Sequence, residues 1–389
     1  NNQAQNPSPA NLDYHVDADS GVELSWTAAE GATSHIVYFG ENEETVENGT
    51  CEVINTTSNS ITKSGLSPLK RYYWRVDEVK NGVTTKGDVW SFQPRRDAFP
   101  GAEGYGRYAI GGRGYEGNEG QVYHVTSLDD DATNPQPGTF RYGIVNATEP
   151  TTIVFDVSGV IHLTDRLTNS NPYVTIAGQT APGNGIMFHG APLGVASDGI
   201  TRYVRLRRGD IDVDGNTITI TVNGVEKTVP ADCGKGLDGM GMAGNNHSIM
   251  DHCSIGWTVD EAFSSRNAKN ITLQHTLISE ALNIAGHPNY DAGTGHGYAA
   301  TVGGDKGSLH HNLLAHNAGR NWSMGGGLDG AGYYKDYLDM FNNVCYNWVD
   351  RTTDGGVHVG KFVNNYYKMG PASKKMQLIM AHLEEVGEG

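Results

Sequence analysis

Asp251, next to His252, and the pair Asp260-Glu261 crowd three carboxyl groups into one short stretch together with Trp257. If they converge in space they repel one another unless a cation neutralises them, and a set of hard oxygen donors suits calcium. The plainer reading has Asp251 capping a turn and the other two facing water. Arg320 lies in His316-Asn317-Ala318-Gly319-Arg320-Asn321-Trp322. Alone, such an arginine is a surface ion-pair partner. Fifteen histidines are scattered along the chain, and His310-His311 with His316 raise zinc. Ladder positions on a repeat account for them equally well. Gly-x-Ser-x-Gly, His-Glu-x-x-His and phosphate-loop patterns are absent. Gly104-Tyr105-Gly106 has neither the strand before it nor the helix after it that a dinucleotide site needs, so it reads as a cap or turn.

The elements that must position these residues are turn-rich. Of 389 residues, 52 are glycine, without a collagen period, which favours many turns and few long helices. Lys and Arg number 28 against 44 Asp and Glu, a net charge of −16, which argues against a nucleic-acid partner. No apolar run approaches the ~20 residues of a membrane span. Cys51, Cys233, Cys253 and Cys345 form no CxxC pair and read as buried small residues or as one or two bridges.

Beyond residue 97, short runs rich in Val and Ile recur, and the later ones align on a polar pair: His252-Cys253, His275-Thr276, His311-Asn312, Asn342-Asn343 and Asn364-Asn365. A spacing near 22, stretched by insertions, marks a solenoid. A polar residue at one fixed place per rung suits a parallel β-helix, where stacked Asn side chains satisfy neighbouring backbone groups. Residues 214–230 read as a hairpin with an Asn-Gly turn inserted between rungs. The Gly-rich stretch 98–120 is expected to cap the N-terminal end, and the C-terminal end is read as incomplete, since solenoids need a cap at each end.

Residues 1–96 differ. Alternating runs at 22–26, 35–38, 71–76 and 89–92, with Trp26, Tyr38, Tyr73, Trp74, Trp90 and Phe92, predict a small β-sandwich. The Tyr-Tyr-Trp-Arg-Val run and the closing Trp-Ser-Phe resemble a fibronectin type III module, read here as a spacer.

Ala98-Phe99-Pro100-Gly101-Ala102-Glu103-Gly104-Tyr105-Gly106, Ile153-Val154-Phe155-Asp156-Val157-Ser158-Gly159 and Val174-Thr175-Ile176-Ala177-Gly178-Gln179-Thr180 resemble the opening of a family 1 pectate lyase. Asp251-His252-Cys253-Ser254 resembles that family's Asp-His-x-Ser rung, and Ser308-Leu309-His310-His311-Asn312 the rung leading to its catalytic arginine. The resemblance implies an all-β chain: a right-handed parallel β-helix over 97–389 behind the sandwich. It also implies a secreted, monomeric lyase that cleaves pectate, an acidic plant polysaccharide, by calcium-assisted β-elimination. Asp251, Asp260 and Glu261 would then hold Ca2+, with Glu261 standing in for an acid replaced here by Ser264. Arg320 would be the base, and Trp257, Arg266, Glu280, His287, His296 and Trp322 are candidates for lining the sugar cleft. Methylated pectin or another uronide as substrate, a β-helix hydrolase and a non-catalytic polysaccharide binder stand as alternatives.

Overall fold

A computed structural model of the chain describes residues 2–210, 215–222, 224–325 and 336–381. The chain divides into two units: Asn1–Asp97 with Tyr115–Glu119, and Ala98–Gly114 with Gly120–Gly389.

The first unit is a β-sandwich. Strands Gln5–Ser8, Val22–Thr27 and Ser60–Lys63 form one sheet. The second is built around Ser34–Gly40, Tyr72–Lys80 and Val89–Pro94. Alternation along Val22–Thr27 turns Val22, Leu24 and Trp26 inward, where they meet Trp74, Trp90 and Phe92 in one apolar cluster. The Trp74 and Trp90 rings pack edge to face, 4.8 Å apart.

The second unit is a right-handed parallel β-helix. Among the described residues its coils lay down three parallel sheets of nine, eight and eight strands. The first sheet runs from Gln121–Val125 to Val359–Val363, the second from Gly159–His162 to Tyr366–Lys368, and the third from Leu167–Thr168 to Ile379–Ala381. The repeat seen in the sequence is the in-register stack. Ile153, Ile176, Thr201, Met250, Leu273, Leu309 and Met340 align through the first sheet. Ile161, Phe188, Leu206, Ile255, Ile278, Leu314 and Cys345 do so through the second. These columns fill a continuous interior, which is how a solenoid buries a core that no single rung could.

The corner between the first two sheets explains the polar pairs. His252, His275, His311, Asn342 and Asn364 are left-handed there, with φ of 48–55°, which bends the chain sharply. The next residues form an inward ladder in which Asn312 Nδ2 donates to Asn343 Oδ1 at 3.1 Å and Asn343 Nδ2 to Asn365 Oδ1 at 3.0 Å. The same oxygens accept the backbone N–H groups of Asn312 and Asn343. Strands Thr217–Val222 and Val225–Pro230 form the inserted antiparallel hairpin, although Asn223 of its expected turn lies outside the described residues.

One expectation changes. The N-terminal end of the core is covered by the helix Phe140–Val145, whose Phe140 and Ile144 are buried in it. Residues Ala98–Gly114 instead run along the outer face of the first sheet. Gly106 N donates to Thr272 Oγ1 at 2.9 Å and Tyr105 N to Ser308 Oγ at 3.0 Å. A Cβ on Gly106 would come within 2.3 Å of the Ser248 carbonyl oxygen, so the glycines permit close backbone approach. All four cysteines are free thiols, with Cys253 and Cys345 buried, so no bridge forms.

Candidate active site

The turns that lead from the second sheet into the third carry the site. Met240 pairs with Phe263 and Phe263 with Ala300, so Asp238, Glu261 and Tyr298 take equivalent positions on successive coils. Arg320 follows on the next coil, where Gly319 bridges Tyr298. The two longest insertions, the hairpin and the segment 280–299, leave the coil in this same column of turns. A groove of about 610 Å3 is lined by Pro230 of the first and by His287 and Tyr290 of the second.

Asp238, Asp260 and Glu261 each present a carboxylate oxygen within 4.8 Å of the other two. Burial, with the charges of Glu261 and Asp260, pushes Asp238 up to about 7 against the opposing pull of Arg166 and Arg266. Asp260 moves the other way. Burial acts to raise it, but hydrogen bonds with His287 and Glu261 hold it below the ordinary carboxylate value. His287 Nδ1 accepts from Asn289 N at 3.0 Å, which leaves Nε2 as the protonated nitrogen facing Asp260 Oδ2 at 3.1 Å. Asp260 Oδ1 is buried without a hydrogen-bond partner among the described residues. A buried acceptor left unmade is costly. With the Asp238 and Glu261 carboxylates converging on that of Asp260, the donor set fits a hard divalent cation such as Ca2+.

Glu261 joins this cluster to the cations. Its Oε1 accepts from Thr301 Oγ1 at 2.7 Å and Arg266 Nη2 at 3.3 Å, and it pairs with Arg320 Nη1. Arg320 has φ of 51°, and its guanidinium lies 4.0 Å from the Tyr298 ring centroid. The sharp corner and the ring together hold the head group against the carboxylates. A second groove, about 370 Å3, is lined by Arg166, Asp238, Ser264 and Arg266 among others.

Asp251 is not brought to this cluster. It ends a strand of the first sheet, fully buried, where Oδ2 accepts from Arg202 Nε at 2.7 Å. Oδ1 accepts from Gln274 Nε2 at 2.8 Å and faces His252 Nδ1 at 2.8 Å. Its place beside Asp260 and Glu261 is taken by Asp238, which the sequence reading missed. Only the pairing of Met240 with Phe263 shows that Asp238 precedes a strand by the same two residues as Glu261.

The weaker candidates divide. Arg266 and His287 touch the carboxylates. Trp257 and Glu280 pair at the end of the second sheet, Nε1 to Oε2 at 3.2 Å, with the indole 44% exposed. His296 is buried, its nitrogens facing the carbonyl oxygens of Val259 at 2.6 Å and Ala285 at 2.9 Å, so it fastens the insertion and does not line a cleft. Trp322 is 2% exposed and belongs to the apolar core, because the chain turns inward directly after Arg320.

No protein-family model matches the chain. Jun a 1, the major allergen from cedar pollen, aligns in structure with a TM-score of 0.44 and 20% identity, covering 70% of this chain and 75% of that one. Probable pectate lyase C of Emericella nidulans is 36% identical over 284 residues, covering 71% of this chain and 54% of that protein. The chain therefore spans about half the length of the curated relatives it matches. Probable pectate lyase C of Neosartorya fischeri is 36% identical over 285 residues, covering 71% of this chain and 55% of its own, and it is to such proteins that this chain is similar.

Proposed function

We propose that the chain is a pectate lyase that cleaves 4-linked galacturonan by β-elimination, with the chemistry at the Asp238–Asp260–Glu261–Arg320 cluster. The observation that carries this reading is the pairing of the Arg320 guanidinium with Glu261, one of three carboxylates that converge at a single column of turns. The similarity to probable pectate lyases supports it.

Elimination breaks the C5–H bond α to the uronate carboxylate, forms a C4–C5 double bond, and expels the O4 leaving group with its electron pair. Asp238, Asp260 and Glu261 would hold Ca2+, which when bound supplies positive charge to offset the negative charge developing on the uronate. Arg320 takes the C5 proton. A guanidinium paired with Glu261 holds its own proton firmly, so Arg320 must exchange Glu261 for the sugar and lose one proton to solvent, a step that alkaline pH drives, before its neutral nitrogen can accept the C5 proton. Tyr298 keeps the head group in place during that exchange. Arg166 and Arg266, beside the smaller groove, bind neighbouring uronates. The two-sheet sandwich supports reading the first unit as a fibronectin type III-like spacer, and the polymeric plant substrate supports a secreted protein.

Asp238 favours one other reading. A carboxyl near 7 suits the general acid of a glycoside hydrolase, with Asp260 or Glu261 as its partner. Incubation with polygalacturonate, with Ca2+ and then with chelator, separates the two. A chelator-sensitive rise in the ultraviolet absorbance of an unsaturated uronide supports elimination. New reducing ends without that absorbance support hydrolysis and end the lyase reading.

A further inference from the structure

On the far side of the second sheet from the carboxylate cluster, the corner after the first sheet places two imidazoles side by side, their rings nearly perpendicular. His310 ends a strand and is fully buried, while His311 is exposed. Consecutive residues in extended chain point to opposite faces. Here φ of 55° at His311 swings its ring back toward that of its neighbour, and the two Nδ1 atoms lie 2.8 Å apart. Glu103, on the segment lying over the first sheet, is held there by Glu103 N donating to Gln274 Oε1 at 3.0 Å and Thr272 Oγ1 donating to Glu103 O at 2.9 Å. Its carboxylate and both imidazoles offer ligand atoms within 4.8 Å of one another.

Little else claims these groups. His310 Nε2 has no hydrogen-bond partner among the described residues. Asn364 Nδ2 donates to Asn342 Oδ1 at 2.6 Å, which turns the Asn342 amide nitrogen toward His311 Nε2 at 3.3 Å. That nitrogen then accepts, and the remaining proton sits between the two Nδ1 atoms. For both Nδ1 atoms to ligate a cation, that proton must move to His311 Nε2, with the Asn342 and Asn364 amides turned over so that Asn342 Oδ1 accepts it. Along the same corner the residues before the ladder position are Arg202, Asp251, Gln274, His310 and Phe341, so this coil alone among them pairs two imidazoles.

We propose that Glu103, His310 and His311 bind a borderline divalent cation of the zinc, nickel and copper class, clamping the 98–114 segment onto the β-helix. Two imidazole nitrogens and one carboxylate match such ions and not calcium, which prefers an all-oxygen shell. The site is separate from the acidic cluster and stands whether or not that cluster performs elimination.

The test is calorimetric titration of the purified chain with Zn2+ under excess Ca2+, with Cu2+ electron paramagnetic resonance to count nitrogen ligands. His311→Asn keeps a residue that the same ladder position already accepts at Asn342 and Asn364, so the fold is expected to survive, and Glu103→Gln removes the carboxylate. The expected result is a zinc site whose affinity falls at least about tenfold in both variants, with loss of one nitrogen from the copper spectrum in His311→Asn. Asp260→Asn is expected to leave Zn2+ binding unchanged. Absence of Zn2+ binding, retention of full affinity in His311→Asn, or loss in Asp260→Asn alone would overturn the proposal.

Discussion

Asp238 and Glu261 stand one above the other on adjacent coils, each two residues before a strand of the third sheet, with Gly239 N donating to Glu261 O at 3.0 Å between them. The β-helix register therefore does for these carboxylates what a metal-binding loop does in other folds: it stacks like charges that the unfolded chain keeps far apart. Asp260 enters from the side through the turn, and Arg320 closes the column from the other direction.

This placement predicts which aspartate matters for calcium. Asp238→Asn should raise the Ca2+ concentration needed for half-maximal cleavage by at least about tenfold, as loss of a ligand does. Asp251→Asn should leave that requirement unchanged and lower thermal stability instead, by about 1–3 kcal/mol, because it strips a buried acceptor from Arg202 and Gln274. Calcium titrations of activity beside thermal unfolding read both effects. A calcium requirement shifted by Asp251→Asn alone would return the ligand role to that residue.

The same two carboxylates should respond to pH with opposite sign. Asp238 is raised from 3.8 to about 7 in the folded chain, so its contribution to stability is present below its unfolded value and is lost as pH rises through about 7. Calcium binding, which needs the deprotonated form, should correspondingly weaken as pH falls below about 7. Asp251 is lowered: burial opposes this, but Gln274, Arg202 and His252 hydrogen bonds prevail. Its contribution is present above the unfolded value and is lost as pH falls through the lower folded one. Unfolding curves of metal-free Asp238→Asn and Asp251→Asn proteins across pH 3–8 should thus diverge from the parent toward the high end with opposite sign, Asp238→Asn gaining relative stability and Asp251→Asn losing it, and should approach the parent at the low end.

Arg320→Lys and Arg320→Ala should reduce turnover by about 10²–10⁴-fold, the range expected for loss of a general base. Calcium binding measured by calorimetry should persist in both, because Arg320 pairs with Glu261 and is not itself a ligand. Turnover within a few-fold of the parent in either variant removes Arg320 from the proton-transfer role.

What the sequence disclosed and what it hid follow from distance along the chain. The corner series His252, His275, His311, Asn342 and Asn364 was legible because each coil repeats the same polar pair, and Arg320 because its motif is local. Asp238 was not, since the hairpin insertion obscures its phase and only the pairing of Met240 with Phe263 aligns it with Glu261. Asp251 misled for the converse reason: it is near Asp260 in sequence, yet the second sheet intervenes between their turns. Trp322 looked like a cleft aromatic, but it directly precedes the strand Ser323–Met324 and its indole is packed into the core.

The asparagine ladder supplies the last prediction. Asn343 accepts from both the backbone N–H and the side-chain amide of Asn312, and donates to Leu309 O at 2.8 Å and Asn365 Oδ1 at 3.0 Å. Replacing it with leucine, close in volume, leaves the Asn312 N–H and the Leu309 carbonyl buried without these partners. Each orphaned group costs about 1–3 kcal/mol, so the variant should lose several degrees of melting temperature or fail to fold. Asn365→Leu breaks only the end of the ladder, where the side chain is more exposed, and should cost less. In the double variant, losses that add would mean that the stack is a set of independent hydrogen bonds. A combined loss well short of the sum means that the column acts as one spine, with coils above and below depending on the same side chains.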